Sequence, residues 1–256
     1  MIEDHSLGAS DSRGNDGPLQ VSIVDRADPL LEDAMTAGTN LGWRRAADLN
    51  ETDEARIGYA TATIHDGRRA SAASAFLHPV TDRPNLTVSV NTVVDQVIIE
   101  NGRAVGVLGR SNRDPVEARA AREVILSAGA IATPKILQLS GIGPAETLRA
   151  AGVDVVAESA GVGARLREHR AFTLQARLTS ELGENTRLST QAGQVAAARE
   201  YADTRSGPLA APPFEIVGFV KTRPDLDRPD VQIQVASFSM RPYGPASPCR
   251  SRASPA

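Results

Sequence analysis

The alternation of apolar and polar positions predicts several short strands in the middle of the chain. Between residues 85 and 127 the segments LTVSV, VVDQVIIE, RAVGVLGR, PVEARA and REVILS are each typical of a strand, and turns separate them. Asn101 and Gly102 form the pair that favours a two-residue hairpin turn, because both residues adopt positive φ easily. The apolar run 124–126 predicts a strand buried on both faces. This region therefore predicts a β-meander followed by a buried strand.

Helical patterns and further strands lie on both sides of this meander. Residues 19–24 predict a strand, and Asp28 with Pro29 predicts the start of a helix that Gly38 ends. The Thr-rich segment IGYATATIHDGRRAS predicts another strand, which a turn closes. Toward the C-terminus, LSTQAGQVAAAREYADTRSG predicts a helix in its middle part that ends near Gly207, and FEIVGFVKT and DVQIQVASF predict two strands. The mixture predicts an α/β (α+β mixed) fold.

One segment, SAGAIATPKILQLSGIG at residues 127–143, combines the features of a ligand-contacting turn. Gly129 has no Cβ, so the backbone there can lie against a bulky ligand. Thr133 and Pro134 predict the start of a short helix, whose unpaired N–H groups favour phosphate. An ordinary strand–glycine–helix connection explains the same residues without any ligand. The run from Ser140 to Gly143 is equally typical of a helix end followed by a tight turn.

Composition and charge exclude several classes of function. The length of 256 residues is enough for one large domain or two ordinary ones, and a hydrophobic content of 41% is enough for a core. A net charge of −3 with scattered arginines predicts no nucleic-acid binding, and the sequence has no membrane-spanning segment. Cys249 is the single cysteine, so no disulfide framework exists and a cytoplasmic location is predicted. The four histidines lack metal-ligand spacing, so no metal site is predicted.

The segment from Gly129 to Gly143 resembles the second signature of the glucose–methanol–choline (GMC) family of FAD-dependent alcohol oxidoreductases. The signature positions are Gly129, Thr133, Pro134, Ser140, Gly141 and Gly143. The segments GRRASAASAFLHPVTDRPNLTV and GRAVGV before it, and GPAETLRAAGVDVV and GVGARLREH after it, resemble the same family. The resemblance runs in one register from about residue 3 to about residue 239. Within the family, the choline dehydrogenase-like branch is the nearest match.

The resemblance implies parts of two domains, a GMC-type FAD-binding domain with the β-meander and a substrate domain. The boundaries that it implies are an irregular start at 1–17, a partial substrate domain at 18–80, a partial FAD-binding domain at 81–170, a partial substrate-domain sheet at 171–240 and a disordered tail at 241–256.

The resemblance also implies which residues bind the cofactor. By the family pattern, the backbone of Val94 pairs with the FAD adenine. Its side chain is equally typical of an ordinary strand valine, because backbone pairing leaves the side chain free to pack. Ala128 and Gly129 correspond to the backbone that approaches the dinucleotide. The run from Ser140 to Gly143 would support that loop without taking part in the chemistry.

Three positions after the signature match the family only in part. Arg165 and Glu168 stand where the family usually has Asn and Asp, while His169 is kept. This departure weakens any assignment of a site in that segment.

The activity that the resemblance implies is the oxidation of a small alcohol, such as choline, to an aldehyde by hydride transfer to flavin N5. The family's Gly-x-Gly-x-x-Gly turn and its C-terminal catalytic histidine have no counterpart in this sequence, so no catalytic residue is assigned. The sequence is therefore interpreted as a truncated chain or fragment. An inactive remnant or binding-only fragment, and an FAD-dependent lyase of the same fold, are the alternatives. The substrate and the oligomeric state are not predicted.

Overall fold

A computed structural model describes residues 2–24, 26–176 and 178–239. The predicted tail at 241–256 lies outside the described residues. The helices are α1 (Pro29–Asn40), α2 (Gly129–Leu139), α3 (Ala145–Ala150), α4 (Asn185–Leu188) and α5 (Gln191–Thr204). The strands are β1 (Glu3–His5), β2 (Leu19–Ile23), β3 (Arg44–Arg45), β4 (Arg56–Tyr59), β5 (Thr61–Ala62), β6 (Ile64–His65), β7 (Arg68–Arg69), β8 (Thr92–Glu100), β9 (Arg103–Ser111), β10 (Asp114–Arg119), β11 (Ile142–Gly143), β12 (Ala157–Glu158), β13 (Ile216–Val220) and β14 (Val231–Val235).

The chain divides into two compact units of mixed α/β structure. The first unit holds the described residues up to Arg83 and from Leu174 onward, and the second unit is Pro84–Thr173. No helix within the described ranges combines the length and the apolar character that a membrane crossing needs.

A four-stranded sheet of order β14-β13-β4-β3 carries the core of the first unit. Antiparallel pairing joins β14, β13 and β4, and β3 joins β4 in parallel. Helix α1 begins as predicted, because Asp28 Oδ1 accepts the N–H of Leu30 at 2.9 Å and Pro29 follows the cap. Its apolar face packs on the sheet, and the core residues are Leu31, Met35, Ile57, Tyr59 and Ile216.

Helix α1 does not end at Gly38, so that part of the prediction is wrong. The helix continues to Asn40, and Gly38 is buried within it. A Cβ at this position would lie 2.9 Å from Cε3 of Trp43 and 3.0 Å from Cδ1 of Ile57. The glycine therefore allows the helix to pack closely on the indole ring and on β4, and it does not terminate the helix.

The first seventeen residues, predicted as irregular, contain a short strand. β1 pairs in parallel with β2, and β2 pairs with β5 in antiparallel orientation. His5, at the end of β1, is buried, and its Nδ1 accepts the N–H of Leu7 at 3.1 Å. The strand predicted from the Thr-rich segment is divided into β4, β5 and β6, because each part pairs with a different neighbour.

A partly buried ion-pair network connects distant segments of the first unit. Arg26 donates hydrogen bonds to Glu215 at 2.6 and 2.8 Å, to Glu184 at 2.8 Å and to Ser237 at 3.2 Å. Burial acts to lower the pKa of Arg26, but the bonds to Glu215 and Glu184 outweigh it and raise the pKa. This arginine therefore stays charged and holds the start of the chain against the segment that carries β13.

The second unit contains the meander, as the strand pattern predicts. Its antiparallel sheet has the order β10-β9-β8. Asn101 and Gly102 have φ values of 51° and 77°, as the predicted hairpin turn requires.

The predicted strand at 124–126 is wrong, because none of its residues is in a strand. Ile125 is 76% exposed. An apolar run becomes a buried strand only where neighbouring strands pair with it, and in the described residues the sheet ends at β8 and β10. The segment LTVSV likewise forms no strand.

Candidate functional site

Helix α2 begins earlier than the sequence predicts. Ala128 is its N-cap and Gly129 its first residue, so Thr133 and Pro134 lie in the second turn. The prediction that these two residues start the helix is therefore wrong. The Oγ1 of Thr133 accepts the N–H of Ala128 at 3.0 Å, and this bond satisfies one donor at the helix start. The early start depends on Gly129, whose φ of +88° turns the chain into the helix directly.

The face of Gly129 is open. Among the described residues, apart from its chain neighbours and the adjoining backbone of α2, no atom lies within 4 Å of the position that a Cβ would take. Ala128 and Gly129 are both exposed. The glycine is required by its φ angle rather than by crowding, and the space beside it can accept a ligand that contacts the backbone.

The C-terminal end of α2 is bonded to strand β8. The N–H of Val97 donates to Oγ of Ser140 at 2.8 Å, and Nε2 of Gln96 donates to the carbonyl of Leu139 at 2.8 Å. Ser140 is the C-cap of α2, and it is nearly buried. The two bonds fix the end of the helix to the strand.

The rest of the signature turns the chain and starts a small sheet. Gly141 has a φ of +79°, and Ile142 and Gly143 form β11, which pairs in parallel with β12. A Cβ on Gly141 would lie 2.5 Å from the carbonyl oxygen of Asp154, so this turn has no room for a side chain. These residues support the end of α2.

Val94 directs its backbone N–H and C=O toward the open edge of the meander. Asn91 faces β9, because its carbonyl accepts the N–H of Asn112 at 3.4 Å. Antiparallel pairing alternates along a strand, so Val94, three residues later, faces away from β9. In the described residues β8 pairs on the β9 side alone. The edge groups of Val94 are therefore placed to meet a partner other than the sheet.

A β-bulge at Asp95 keeps Val94 and Val97 on the same edge. The register skips Asp95 between the pairs Val94–Gly109 and Gln96–Leu108. Without this extra residue, Val94 and Val97 would face opposite sides of the strand, because they are three positions apart. The N–H of Val97 faces the open edge, as its bond to Ser140 shows.

An ion pair between Arg110 and Asp95 holds the bulge. Arg110 on β9 donates to both carboxylate oxygens of Asp95, at 2.8 and 2.9 Å. These bonds, with a smaller effect of the charges of Arg110 and Lys135, lower the pKa of Asp95. Helix α2 contacts β8 at its C-terminal end, where Ser140 bonds to Val97 and Leu139 bonds to Gln96.

A pocket lies between α2 and the loop after β12. Its volume is about 440 Å³, and its lining includes Lys135, Gln138 and Arg165. Nε2 of Gln138 donates to the carbonyl of Val162 at 3.3 Å and holds the loop. Arg165 has a φ of +64°, a conformation that Asn adopts more easily than Arg. His169 is exposed, and its backbone N–H donates to Oε1 of Glu168 at 2.8 Å.

The sequence predicts Ser140 only as a support of the loop, and it does not single out Asp95. Both residues set the position of the strand backbone through bonds of their side chains. The sequence offers one signal, and it marks the bulge at Asp95. The adjacent apolar residues Val93 and Val94 break the period-two alternation immediately before Asp95, as a bulge does.

Comparison with known proteins matches most of this chain to one family. A family model described as GMC oxidoreductase matches residues 3–171. Mitochondrial choline dehydrogenase of Mus musculus is 38% identical over 240 residues, which are 94% of this chain and 40% of that protein. Oxygen-dependent choline dehydrogenase of Ectopseudomonas mendocina is 38% identical over 237 residues, covering 90% and 41% respectively.

Solved structures give the same result for the fold. Pyridoxine 4-oxidase from Mesorbium loti has a TM-score of 0.57 and 34% identity over 61% of this chain and 31% of its own. An FAD-dependent oxidoreductase from Chaetomium thermophilum has a TM-score of 0.73 and 21% identity, over 85% of this chain and 41% of its own. The chain spans about 40% of the length of the curated relatives it matches. On the match over residues 3–171, this chain belongs to the GMC oxidoreductase family.

Proposed function

We propose that the second unit forms the adenine-facing part of an FAD site in an oxidoreductase that acts on CH–OH donors. The observation that carries the proposal is the open edge at Val94. Its backbone presents one donor and one acceptor that no strand of the described chain uses. An adenine ring needs this pair, because its amino group donates and a neighbouring ring nitrogen accepts.

The start of α2 fits the remainder of a dinucleotide. Gly129 leaves open space beside the backbone, and the first N–H groups of a helix lack intrahelical partners and favour phosphate. Ala128 offers its exposed backbone in the same place, although its N–H is already bonded to Thr133. The residues therefore fit an adenine dinucleotide through backbone contacts.

In the proposed reaction, bound FAD supplies the acceptor for a hydride from the α-carbon of a small alcohol. The part of the site formed by this chain binds and orients the adenine end of the cofactor. No base that takes the hydroxyl proton is assigned to the described residues. Choline is the proposed alcohol, because the relatives at 38% identity are named choline dehydrogenases. A cytoplasmic location stays a prediction.

The test measures ADP binding by isothermal titration calorimetry, since ADP carries the adenine and pyrophosphate of FAD. Val94→Pro removes the edge N–H, and proline is tolerated where that group does not serve the ladder. Loss of one hydrogen bond is expected to weaken ADP binding about fivefold or more. Ile99→Pro is the matched control, because Ile99 faces the same open edge near the far end of β8.

The outcomes separate the possible roles of this chain. Val94→Ala keeps the backbone, so it should bind ADP like the wild type. Equal affinity of Val94→Pro and Ile99→Pro for ADP would contradict the role of this edge. ADP and FAD binding without choline oxidation would support the binding-only alternative, and cleavage of an alcohol without net flavin reduction would support the lyase alternative.

A further inference from the structure

The hydroxyl of Ser140 makes two hydrogen bonds at the point where α2 meets β8. It donates to the carbonyl of Ile136 at 2.6 Å and accepts the N–H of Val97 at 2.8 Å. Ser140 is 9% exposed, so water has little access to replace either bond. Removing the hydroxyl would leave a buried backbone N–H without its acceptor, which is costly.

The bond to Val97 is made at the edge that Val94 shares. The hydroxyl of Ser140 accepts the N–H of Val97 at this edge, where the carbonyl of a further strand would otherwise accept it. Gln96 adds a second bond to the end of α2, from a side chain rather than from the edge. Ser140 is therefore the contact that fixes the edge of β8 directly to the helix.

The bulge makes this contact matter for Val94. Asp95 is one extra residue between Val94 and Gln96, and Arg110 holds its side chain. If the edge at Val97 were free, the bulge could move along the strand, and a shift by one residue would turn Val94 toward β9. Ser140 opposes that shift because it specifies which residue faces outward.

We propose that Ser140 is a positioning residue for nucleotide binding, because its hydroxyl fixes the edge of β8 to α2 and thereby holds the backbone of Val94 in the orientation that binds adenine. The inference rests on the proposed function, since a nucleotide must bind for the position of Val94 to matter. It assigns Ser140 no contact with the nucleotide itself.

The experiment compares Ser140→Ala with the conservative Ser140→Thr. ADP affinity is measured by calorimetry, and the amide signal of Val94 is followed by NMR during the titration. Ser140→Ala should bind ADP about tenfold more weakly, a change comparable to that of an unpaired buried hydrogen-bonding group. The ADP-induced shift of the Val94 signal should be lost. Ser140→Thr keeps the hydroxyl and should restore both.

A control for stability separates positioning from general loss of structure. Leu148→Val removes a methylene group from a side chain that is 1% exposed in the same unit, without touching the contact at β8. This variant should lose stability and keep its affinity for ADP.

Three results would decide the matter. Unchanged ADP affinity in Ser140→Ala, with binding by the wild type, would overturn the positioning role alone. Equal losses of affinity in Ser140→Ala and Leu148→Val would overturn it as well, because stability would then explain both. Absence of ADP binding by the wild type would overturn the proposed function and the inference together.

Discussion

Replacement of Gly129 by alanine should weaken nucleotide binding by more than it weakens the fold. Gly152 provides a matched control in the same unit. The two glycines have φ values of 88° and 71°. Among the described residues, apart from chain neighbours and, for Gly129, the adjoining backbone of α2, no atom lies within 4 Å of the position of either Cβ. Alanine at either position therefore costs backbone strain without a clash.

Both variants place a methyl group on a backbone with positive φ. A side chain in the left-handed region costs about 1–2 kcal/mol. Replacing glycine also lowers the entropy of the unfolded chain, and this offsets about 0.4–1 kcal/mol of the strain. Gly129→Ala and Gly152→Ala should therefore each lose about 1 kcal/mol of unfolding free energy, the difference between these two effects.

A difference between the variants is expected only with a nucleotide present. The methyl group at position 129 would occupy the open space that we propose for the dinucleotide. The affinity of Gly129→Ala for ADP and FAD should fall about tenfold, which corresponds to about 1.4 kcal/mol. Gly152→Ala should keep the wild-type affinity.

Urea denaturation measures the first effect, and calorimetric titration with ADP and then FAD measures the second. The reasoning would be refuted if Gly129→Ala bound both ligands as tightly as Gly152→Ala. A much larger loss of stability in one variant would refute the assumption that both sites are sterically open.

Two further predictions concern stability. Arg165→Asn should raise the unfolding free energy by about 1 kcal/mol, because asparagine tolerates positive φ better than arginine. Chemical denaturation tests this, with Arg167→Asn as the control. An equal gain of stability in the control would contradict the prediction. Asp230 accepts hydrogen bonds from the hydroxyl and the N–H of Thr222, at 2.6 and 2.8 Å, and these lower its pKa below the ordinary value. Because the folded pKa is the lower one, the stabilisation is present above the ordinary aspartate pKa and is lost as the pH falls through the folded pKa. The urea midpoint should therefore fall less between pH 7 and pH 3 in Asp230→Asn than in the wild type. An equal decrease in the two proteins would contradict the prediction.

Local features of the fold could be predicted where a few adjacent residues determine them. Asp28 and Pro29 start α1 because a carboxylate cap and a preset φ act within one turn. Asn101 and Gly102 form the hairpin turn because both tolerate positive φ. Strand β14 follows from the alternation of apolar residues with glutamine in VQIQV, and strand β13 follows from its short apolar run.

Features that depend on distant partners could not be predicted from the pattern. Gly38 has the sequence appearance of a helix end, but its role is set by Trp43 and Ile57, which pack against it. Ile125 belongs to an apolar run that suggests a buried strand, yet a strand exists only where another strand pairs with it. Neither the side chains that pack on Gly38 nor the lack of a strand beside Ile125 can be inferred from the local sequence.

The candidate site illustrates a more general limit. Val94, Ala128 and Gly129 would contact the nucleotide through their backbones, so among them only the glycine has a side-chain requirement. The roles of these residues stay predictions. The side chains that arrange the backbone, Asp95 with its bulge and Ser140 with its bond to Val97, lie outside the proposed contacts. A change at such a position should therefore affect binding without altering any group that touches the ligand, and substitutions of Ser140 test this separation directly.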